Sequence, residues 1–584
     1  MKRVLLSVII AFCLVSCDFS NYILKTDYDF TTTFERSEGK QTATYPEVID
    51  FYQNLSSAYS TVKLEEFGET DSGLPLHLAI YNPDGSFDLE SLRKDHSILF
   101  INNGIHPGEP DGIDATMLLF RDMAQDSIAV PENTIIVTIP VYNVGGALNR
   151  NSYSRTNQNG PEAYGFRGNA RNYDLNRDFI KADTKNTRTF YEIFHYVKPD
   201  VFIDTHVSNG ADYQYTLTHL FTQHNKLGGE LGKYLHQDLM PGLRRSLKQK
   251  EWDITPYVNV FNEVPEKGFS QFNDTPRYST GYTSLWNTLG MMVETHMLKP
   301  YDQRVWGTYE LLRSMISLTD QDSEQIRELR NAANKSFREK KLYQFNYVPD
   351  STKYTKIRFK GFEGEMLASE VTGADRLKYN REKPFTREVD YYNFYKPGKE
   401  VKIPRAYILP QAWWEVRELL ELNGVEMIAF EKDSVLEAEV YRIETFQTRE
   451  SAYEGHYPHF DTKVSSSTKN VQVRQGDFLI PTDQPAIRYL LETLEPEAVD
   501  SFFNWNFFDS ILQQKEHFSP YVFEELALEL LDENPELREA FENRKDSLAD
   551  FRNNWYAQLY WIYKQSKHYE PAHLRYPVFR LPRQ

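Results

Sequence analysis

The chain has 584 residues, of which 40% are hydrophobic and 14% aromatic, so it is long enough for more than one hydrophobic core and too apolar for a disordered tail. Lys and Arg number 66 against 84 Asp and Glu, which gives a formal net charge of −18. This balance leaves no basic stripe for a phosphate backbone, so no nucleic-acid partner is expected.

The N-terminus has the pattern of an export signal. Lys2 and Arg3 precede an apolar run, Val4 to Val15, which suits the core of a signal peptide and is too short to cross a bilayer as a helix. The run leads into LVSC, ending at Cys17, which resembles the lipobox of bacterial lipoproteins. We therefore expect a lipoprotein signal over residues 1–17, a lipid at Cys17 as the link to a membrane, and an extracytoplasmic location in the periplasm or at the cell surface. An ordinary secretory signal with an incidental cysteine is the alternative.

From about residue 45 to 317, short β-like runs alternate with helical segments, which is typical of an α/β sheet. The predicted strands are Ser97–Ile101, Thr134–Val141, Val201–His206 and Met291–Glu294. The predicted helices are Ile113–Asp122, Thr187–Tyr196, Gly229–Met240 and a long proline-free region from Asp302 to Lys341. The pattern predicts an α/β fold with a central β-sheet flanked by helices.

The composition changes near residue 343. β-branched and aromatic residues alternate through Lys353–Phe359 and Glu437–Phe446, one helix is predicted at Gln411–Leu422, and the stretch from Gln484 to Lys567 is helical again. The change predicts an N-terminal domain over residues 18–340 and a mixed α+β C-terminal region over residues 345–584. The sequence gives no role for the second region.

A His and a Glu lie three residues apart after the first predicted strand, in the sequence HPGE from His106 to Glu109. Pro107 and Gly108 between them predict a turn, which lets both side chains converge on one ion. Because Pro110 follows, the pair lies in a loop at the carboxyl end of a strand, where α/β sheets place ligand sites. Taken alone, a pair with this spacing is common and only weakly indicates a metal site.

His206 ends the apolar run of another predicted strand, and a strand-end histidine bonded to backbone groups is the alternative reading. Two imidazole nitrogens and one carboxylate oxygen are typical of catalytic zinc, because they leave the fourth position for water. We therefore predict one zinc ion per chain, held by His106, Glu109 and His206. Asp204 lies two residues earlier on the same strand face, where it can orient His206 or a neighbouring ligand.

Four sequence blocks occur in a particular order: HPGE at 106–109, RGNARNYDLNRDF at 167–179, FIDTH at 202–206 and MVETH at 292–296. In this order they resemble the zinc carboxypeptidase (carboxypeptidase A-like) superfamily over about residues 45–320. The resemblance implies a mixed central sheet and, with the lipobox, a bacterial lipoprotein member of that superfamily. It leaves the C-terminal third of the chain unexplained.

The resemblance also implies roles for residues that match the family's motif. Asn176 and Arg177 match the pair that anchors the terminal carboxylate of the substrate, a role that suits the planar fork of an arginine. Arg167 matches an arginine that polarises the scissile carbonyl group. Arg155 and Arg171 stay open as alternatives to Arg167.

Glu294 follows the apolar run Leu289–Val293 and matches the general base of the family, with a solvated strand-end carboxylate as the alternative. Members of the family also carry a tyrosine that closes over the substrate, and Phe272 stands at the corresponding spacing here. Tyr278 and Tyr282 are the candidates to replace it, and Tyr282 is predicted to bind substrate. The stretch from 151 to 166 resembles an insertion that shapes the cleft.

The resemblance favours a zinc metallocarboxypeptidase that hydrolyses the C-terminal peptide bond of peptides. A zinc deacylase or murein-peptide amidase of the same superfamily is an alternative, because these relatives use the same residues on acyl-amino acids or murein peptides. A non-catalytic binding lipoprotein is a further alternative. The presence of all three ligands and the base argues against this last function.

Overall fold

The computed structural model describes residues 27–583. The signal segment 1–17, with Cys17, lies outside the described residues, so the lipid anchor stays a prediction. No helix among residues 27–583 combines the length and the apolar character that crossing a bilayer requires.

The strands of the N-terminal half form one mixed sheet. They are β1 (Val62–Glu69), β2 (Pro75–Tyr81), β3 (Ser97–Asn102), β4 (Thr134–Ile139), β5 (Val201–Ser208), β6 (Leu217–Phe221), β7 (Ile254–Pro256), β8 (Phe269–Ser270) and β9 (Leu289–His296). All but β8 belong to the sheet, in the spatial order β1-β2-β4-β3-β5-β9-β6-β7. Strands β4, β3, β5 and β9 run parallel, and β1, β2 and β6 add antiparallel pairs. The predicted mixed sheet is confirmed.

The central strands are buried along their whole length because they are covered on both faces. Every residue of β3, β4 and β5 is buried, and successive side chains on a strand point to opposite faces. Strand β4 ends at Ile139, two residues before the predicted end at Val141. Pro140 follows and has no N–H group for the ladder, which explains the earlier end.

Helices pack against this sheet, as predicted. They are α1 (Thr33–Arg36), α2 (Tyr45–Ala58), α3 (Leu89–Leu92), α4 (Asp111–Ala124), α5 (Val144–Leu148), α6 (Lys185–Val197), α7 (His224–Leu227), α8 (Gly229–Tyr234), α9 (Met240–Gln249), α10 (Ser279–Ser284), α11 (Tyr301–Gln321) and α12 (Ser323–Glu339). Helix α11 contacts α4, β3 and β4, whereas α6 contacts β1 and β2.

Two predicted helices differ from the observed ones. The region from Asp302 to Lys341 is divided at Asp322, whose backbone is not helical and whose carboxylate accepts a hydrogen bond from the Tyr234 hydroxyl at 2.8 Å. The helix predicted from Gly229 to Met240 contains a π-helical turn, Leu235–Leu239, and continues to Gln249. Pro241 lacks the N–H group that would continue the regular α-helical bonds at this point.

The C-terminal region contains both strands and helices, as predicted. Its strands are β10 (Leu342–Phe345), β11 (Val348–Pro349), β12 (Thr355–Ala368), β13 (Asp375–Tyr392), β14 (Tyr395–Lys396), β15 (Lys399–Lys402), β16 (Ala406–Leu409), β17 (Ile428–Ala429), β18 (Ser434–Thr448), β19 (His459–Val473), β20 (Phe478–Pro481) and β21 (Phe579–Leu581). Its helices are α13 (Trp414–Leu422), α14 (Ile487–Leu494), α15 (Pro520–Glu533), α16 (Pro535–Ser547), α17 (Ala549–Arg552) and α18 (Trp555–Gln565).

The two halves of the chain share contacts and an apolar core. Strand β13 pairs in parallel with β8, and the rings of Trp286 and Tyr489 stack with their centroids 5.9 Å apart. The buried Arg488 of α14 donates to the carbonyl oxygen of Ser284 at 2.8 Å. The C-terminal region therefore packs directly against the N-terminal half. The domain boundary between 340 and 345 stays a prediction.

Candidate metal centre

The predicted ligands lie at one edge of the mixed sheet. His106 and Glu109 follow β3, and His206 lies near the carboxyl end of β5. Strands β3 and β5 are parallel neighbours, with Asn102 paired to Asp204. Because parallel strands end at the same edge of a sheet, residues far apart in sequence meet there.

The HPGE segment forms the predicted tight turn, in which the Glu109 N–H donates to the His106 carbonyl oxygen at 2.8 Å. Gly108 is needed because the chain passes very close to the stretch 151–166. A Cβ atom at position 108 would lie 2.6 Å from Cδ of Arg155 and 2.9 Å from the carbonyl oxygen of Gly165. The turn therefore brings the predicted insertion against the ligand loop.

The side chains of His106, Glu109 and His206 are buried and converge, with one ligand atom of each within 4.8 Å of the others. Nδ1 of His106 lies 3.3 Å from Oε1 of Glu109, and Nδ1 of His206 lies 3.1 Å from Oε2 of the same carboxylate. Nitrogen and oxygen ligands about 2.1 Å from a tetrahedral ion are about 3.4 Å apart. The separations of the ligand atoms therefore suit a single small cation.

Carboxylates orient both imidazole rings. Nε2 of His206 is 3.0 Å from Oδ2 of Asp204, the contact through which Asp204 is predicted to orient this ring. Nε2 of His106 is 2.9 Å from Oδ1 of Asp174, a contact that sequence reasoning missed. When Nε2–H donates to a carboxylate, Nδ1 keeps its lone pair and faces the cluster as a metal ligand.

One buried atom gives a direct test of whether the cluster suits a metal. Nδ1 of His106 is buried and makes no well-aligned hydrogen bond in the described part of the chain, although Oε1 of Glu109 lies 3.3 Å away. Burial of a polar nitrogen without a partner costs free energy, and coordination of a cation would remove that cost. The donor set and the unpaired nitrogen therefore fit a divalent cation.

Charged neighbours determine the protonation of Glu109. Burial alone raises the pKa of its carboxyl group, but Arg155 and His106 outweigh burial and hold the pKa well below its usual range. An Nη atom of Arg155 lies 2.9 Å from Oε1 of Glu109, and the Val207 N–H donates to Oε2 at 2.9 Å. Glu109 is therefore an anion in a fixed orientation, as a metal ligand requires.

Glu294 lies beside the cluster, directly opposite His206 in the register of β5 and β9. Burial raises the pKa of Glu294 to about 7. The positive charges of His206 and Arg167 act in the opposite direction. A bound cation would lower the pKa further, because it favours the carboxylate form.

Arg167 and Arg177 reach the same cavity from the segment 167–179. Arg167 is held by the Asp174 carboxylate, with nitrogen–oxygen distances of 3.0 and 2.8 Å, and its Nη1 lies 3.6 Å from Glu109. The guanidinium of Arg177 lies over the ring of Tyr278, 4.5 Å from its centroid. Both guanidinium groups therefore lie beside the predicted ligands.

A cavity of about 360 Å³ is lined by the predicted site residues other than Tyr282. Tyr278, Tyr257, Phe272, Leu220 and Met292 provide the aromatic and apolar part of its wall. The cavity thus combines a candidate metal-binding cluster, two arginines, a carboxylate and an apolar surface, which is the composition of a small-molecule site.

The predicted substrate contact of Tyr282 is corrected by the structure. Tyr282 is fully buried in the core, its ring stacks on Tyr191 with centroids 5.1 Å apart, and its hydroxyl donates to Oδ1 of Asn423 at 2.6 Å. Tyr282 lies inside helix α10, which turns it towards the core. Tyr278 precedes that helix and lines the cavity.

The positions of Arg155 and Arg171, the two alternatives to Arg167, differ from that of Arg167. Arg171 does not line the cavity and donates to the carbonyl oxygen of Asp183 at 2.8 Å. Arg155 lines a neighbouring depression that also includes Glu109 and Arg167. Arg167 alone of the three lines the 360 Å³ cavity together with Glu294.

Several residues of the site escaped sequence reasoning. Asp174 and Tyr257 belong to this group, together with Ser279, whose hydroxyl donates to Oδ2 of Asp204 at 2.5 Å. Asp174 had a usable signal, because it lies inside the most specific sequence block, two residues before Asn176. Tyr257 and Ser279 lie in segments with no motif and are brought in by the fold.

No family model matches the chain. Curated relatives do. Carboxypeptidase 2 of Trichophyton rubrum is 21% identical over 494 residues, covering 80% of this chain and 84% of the relative. Carboxypeptidase 2 of Trichophyton equinum is 23% identical over 429 residues, covering 69% and 72%. These relatives confirm the resemblance predicted from the four sequence blocks, whereas its lipoprotein part stays a prediction.

Solved structures with a likeness to the chain include two described as carboxypeptidases. A metallo-carboxypeptidase from Burkholderia cenocepacia has a TM-score of 0.36 and 14% identity, covering 48% of this chain and 70% of that one. A carboxypeptidase A from Helicoverpa armigera has a TM-score of 0.37 and 13% identity, covering 48% and 74%.

Proposed function

We propose that this relative of the carboxypeptidases is a zinc-dependent metallocarboxypeptidase, which hydrolyses the C-terminal peptide bond of peptides. One observation carries the proposal: the buried cluster of His106, Glu109 and His206 opens into the same cavity as Glu294 and Arg177. A metal site alone suits many hydrolases. A carboxylate base and an arginine fork beside it suit cleavage at a chain end.

His106, Glu109 and His206 would hold the zinc ion, which would supply a Lewis acid that acidifies water and polarises a carbonyl group. Glu294 takes a proton from the attacking water while the oxygen of that water bonds to the carbonyl carbon. The same carboxyl group returns the proton to the nitrogen of the leaving amine when the C–N bond breaks. Arg167 donates to the carbonyl oxygen as negative charge develops there.

Arg177 and Asn176 bind the free carboxylate of the substrate in this proposal. The ring of Tyr278 beneath the guanidinium and the Asn176 carbonyl oxygen, 2.8 Å from Nη1, fix the direction of the Arg177 fork. Oδ1 of Asn176 accepts the Ser279 N–H at 3.1 Å. Capture of the carboxylate places the preceding peptide bond, rather than an internal one, beside Glu294.

The test combines metal analysis with a comparison of substrates. Purified protein should contain zinc and release free amino acids from N-blocked peptides with a free C-terminal carboxylate. The same peptides ending in an amide should be poor substrates. Preferential cleavage of acyl-amino acids or murein peptides would indicate the deacylase or amidase instead, and zinc binding without hydrolysis would indicate a binding protein.

The proposed enzyme works outside the cytoplasm, attached by a lipid at Cys17. Support comes from the sequence of the first 17 residues, with Lys2 and Arg3 ahead of the apolar run and a cysteine at its end. Cys17→Ser should move the protein from the membrane fraction to the soluble extracytoplasmic fraction. Unchanged fractionation of the variant would contradict the anchor.

A further inference from the structure

The C-terminal region contacts the candidate metal centre through residues 449–458, the loop between β18 and β19. Three consecutive residues of this 449–458 loop lie against the segment 173–183, which carries Asp174 and Arg177. They are Glu454, Gly455 and His456, and each makes a separate contact with the segment. The loop is therefore closely fitted to the segment that supplies part of the site.

Glu454 is connected to the metal cluster through Asp174. Oε2 of Glu454 accepts a hydrogen bond from the backbone N–H of Asp174 at 2.8 Å. The side chain of Asp174 in turn meets Nε2 of His106 at 2.9 Å and Nε of Arg167 at 3.0 Å. One carboxylate of the C-terminal region therefore fixes the backbone of a residue that orients a predicted ligand and a predicted oxyanion donor.

Contacts of Gly455 and His456 hold the loop at the distance that the hydrogen bond between Glu454 and Asp174 requires. Gly455 has a φ of +82°, and a Cβ atom there would lie 2.6 Å from the hydroxyl oxygen of Tyr173. Nε2 of His456 is 2.9 Å from Oδ2 of Asp183. A larger residue at position 455 would thus separate Glu454 from Asp174 without removing its carboxylate.

The position of Glu454 carries an electrostatic cost. Burial raises the pKa of Glu454, and the nearby Asp174 carboxylate raises it further, whereas Lys181 and Arg177 act in the opposite direction. The N–H group of Asp174 offsets part of this cost by donating to Glu454. An acidic side chain placed beside another acid is better explained by this hydrogen bond than by a solvated surface position.

We propose that Glu454 is a positioning residue for the metal centre, and that the C-terminal region thereby contributes to the site instead of forming a separate module. Glu454 fixes the backbone of Asp174, and Asp174 sets the orientation of His106 and Arg167. The inference rests on the proposed zinc peptidase function.

Three variants test the role of Glu454: Glu454→Ala, Glu454→Gln and Glu450→Ala. Glu450 is exposed in the same loop, so its substitution removes the same charge as a matched control. Zinc affinity of the metal-free protein is measured by competition with a chromophoric chelator, and kcat and KM with a blocked dipeptide. Glu454→Ala should weaken zinc binding and lower kcat by roughly 10-fold each, with KM little changed. Glu454→Gln keeps an acceptor oxygen and should restore most of both.

Hydrogen exchange of the Asp174 amide gives a readout that does not depend on activity. In the metal-free proteins, exchange of this amide should be faster in Glu454→Ala than in wild type. In metal-free Glu450→Ala it should equal the wild-type rate. If Glu454→Ala does not fold, Gly455→Ala replaces it, because it should move the loop while the carboxylate stays present. The inference is overturned if Glu454→Ala, or Gly455→Ala in its place, matches Glu450→Ala in zinc affinity, kcat and exchange. A wild-type protein that binds no zinc would instead overturn the proposed function, whatever the exchange data show.

Discussion

His206 and Glu294 lie directly opposite each other on the parallel strands β5 and β9. Adjacent strands are about 4.8 Å apart, so the sheet itself fixes the distance between a predicted ligand and the predicted base. Both strands are held by buried neighbours on each side. Substitution of either residue should therefore change the chemistry of the site without moving the other.

Replacement of Glu294 by Gln should abolish turnover while zinc stays bound. The amide is similar in size but cannot accept a proton, so kcat should fall by roughly 10²- to 10⁴-fold. Steady-state kinetics and elemental analysis measure the two effects. Glu263→Gln, at an exposed position, is the control. Ordinary activity in Glu294→Gln would mean that another group is the base.

His206→Ala should remove the metal, because it deletes one of the two imidazole ligands together with the ring that contacts the Asp204 carboxylate. Zinc content after dialysis is the measurement, with thermal unfolding to separate loss of a ligand from loss of the fold. The exposed His568→Ala should keep its zinc. An unchanged zinc content in His206→Ala would remove this residue from the ligand set.

Arg177→Ala should impair substrates with a free C-terminal carboxylate far more than the corresponding amides. The loss of a charge-assisted fork predicts a fall in kcat/KM of roughly 10- to 100-fold for the free acids. Arg171→Ala is a suitable control, because Arg171 carries the same charge but bonds to a backbone oxygen outside the cavity. Equal losses for acids and amides would argue against cleavage at the chain end.

Glu492 should make the protein less stable as the pH rises. Burial raises the pKa of Glu492 to about 7 in the folded chain, while the Tyr343 hydroxyl donates to its carboxyl group at 2.9 Å. A raised pKa favours the folded state below the unfolded pKa, and this contribution is lost as the pH rises through about 7. Glu492→Gln does not ionise, so its stability should increase relative to wild type between pH 5 and 8, by an amount on the order of 3 kcal/mol.

Urea unfolding of both proteins at the two pH values measures this difference. Glu539→Gln, on the exposed side of α16, is the control and should show no comparable change. The same pH dependence in wild type and Glu492→Gln would mean that the carboxyl group of Glu492 does not titrate in this range.

The central strands were predictable because each is a short apolar run with a polar residue at one end. A strand that is buried on both faces can have few other sequence patterns. Strand β3 and the start of β5 show this well. Helix ends were less predictable. Asp322 interrupts a continuous helical pattern through a contact with Tyr234, which lies far away in sequence. Only the packed chain contains the reason for that break.

The sequence by itself determined which residue types meet at the site, because His106, Glu109, His206 and Glu294 follow local strand and turn patterns within ordered blocks. Only the tertiary structure decided which tyrosine faces the cavity, because helix α10 turns Tyr282 into the core. It also decided that Glu454, 280 residues beyond Asp174, supports the site. Local patterns report the neighbours along the chain, whereas such contacts depend on how distant segments pack.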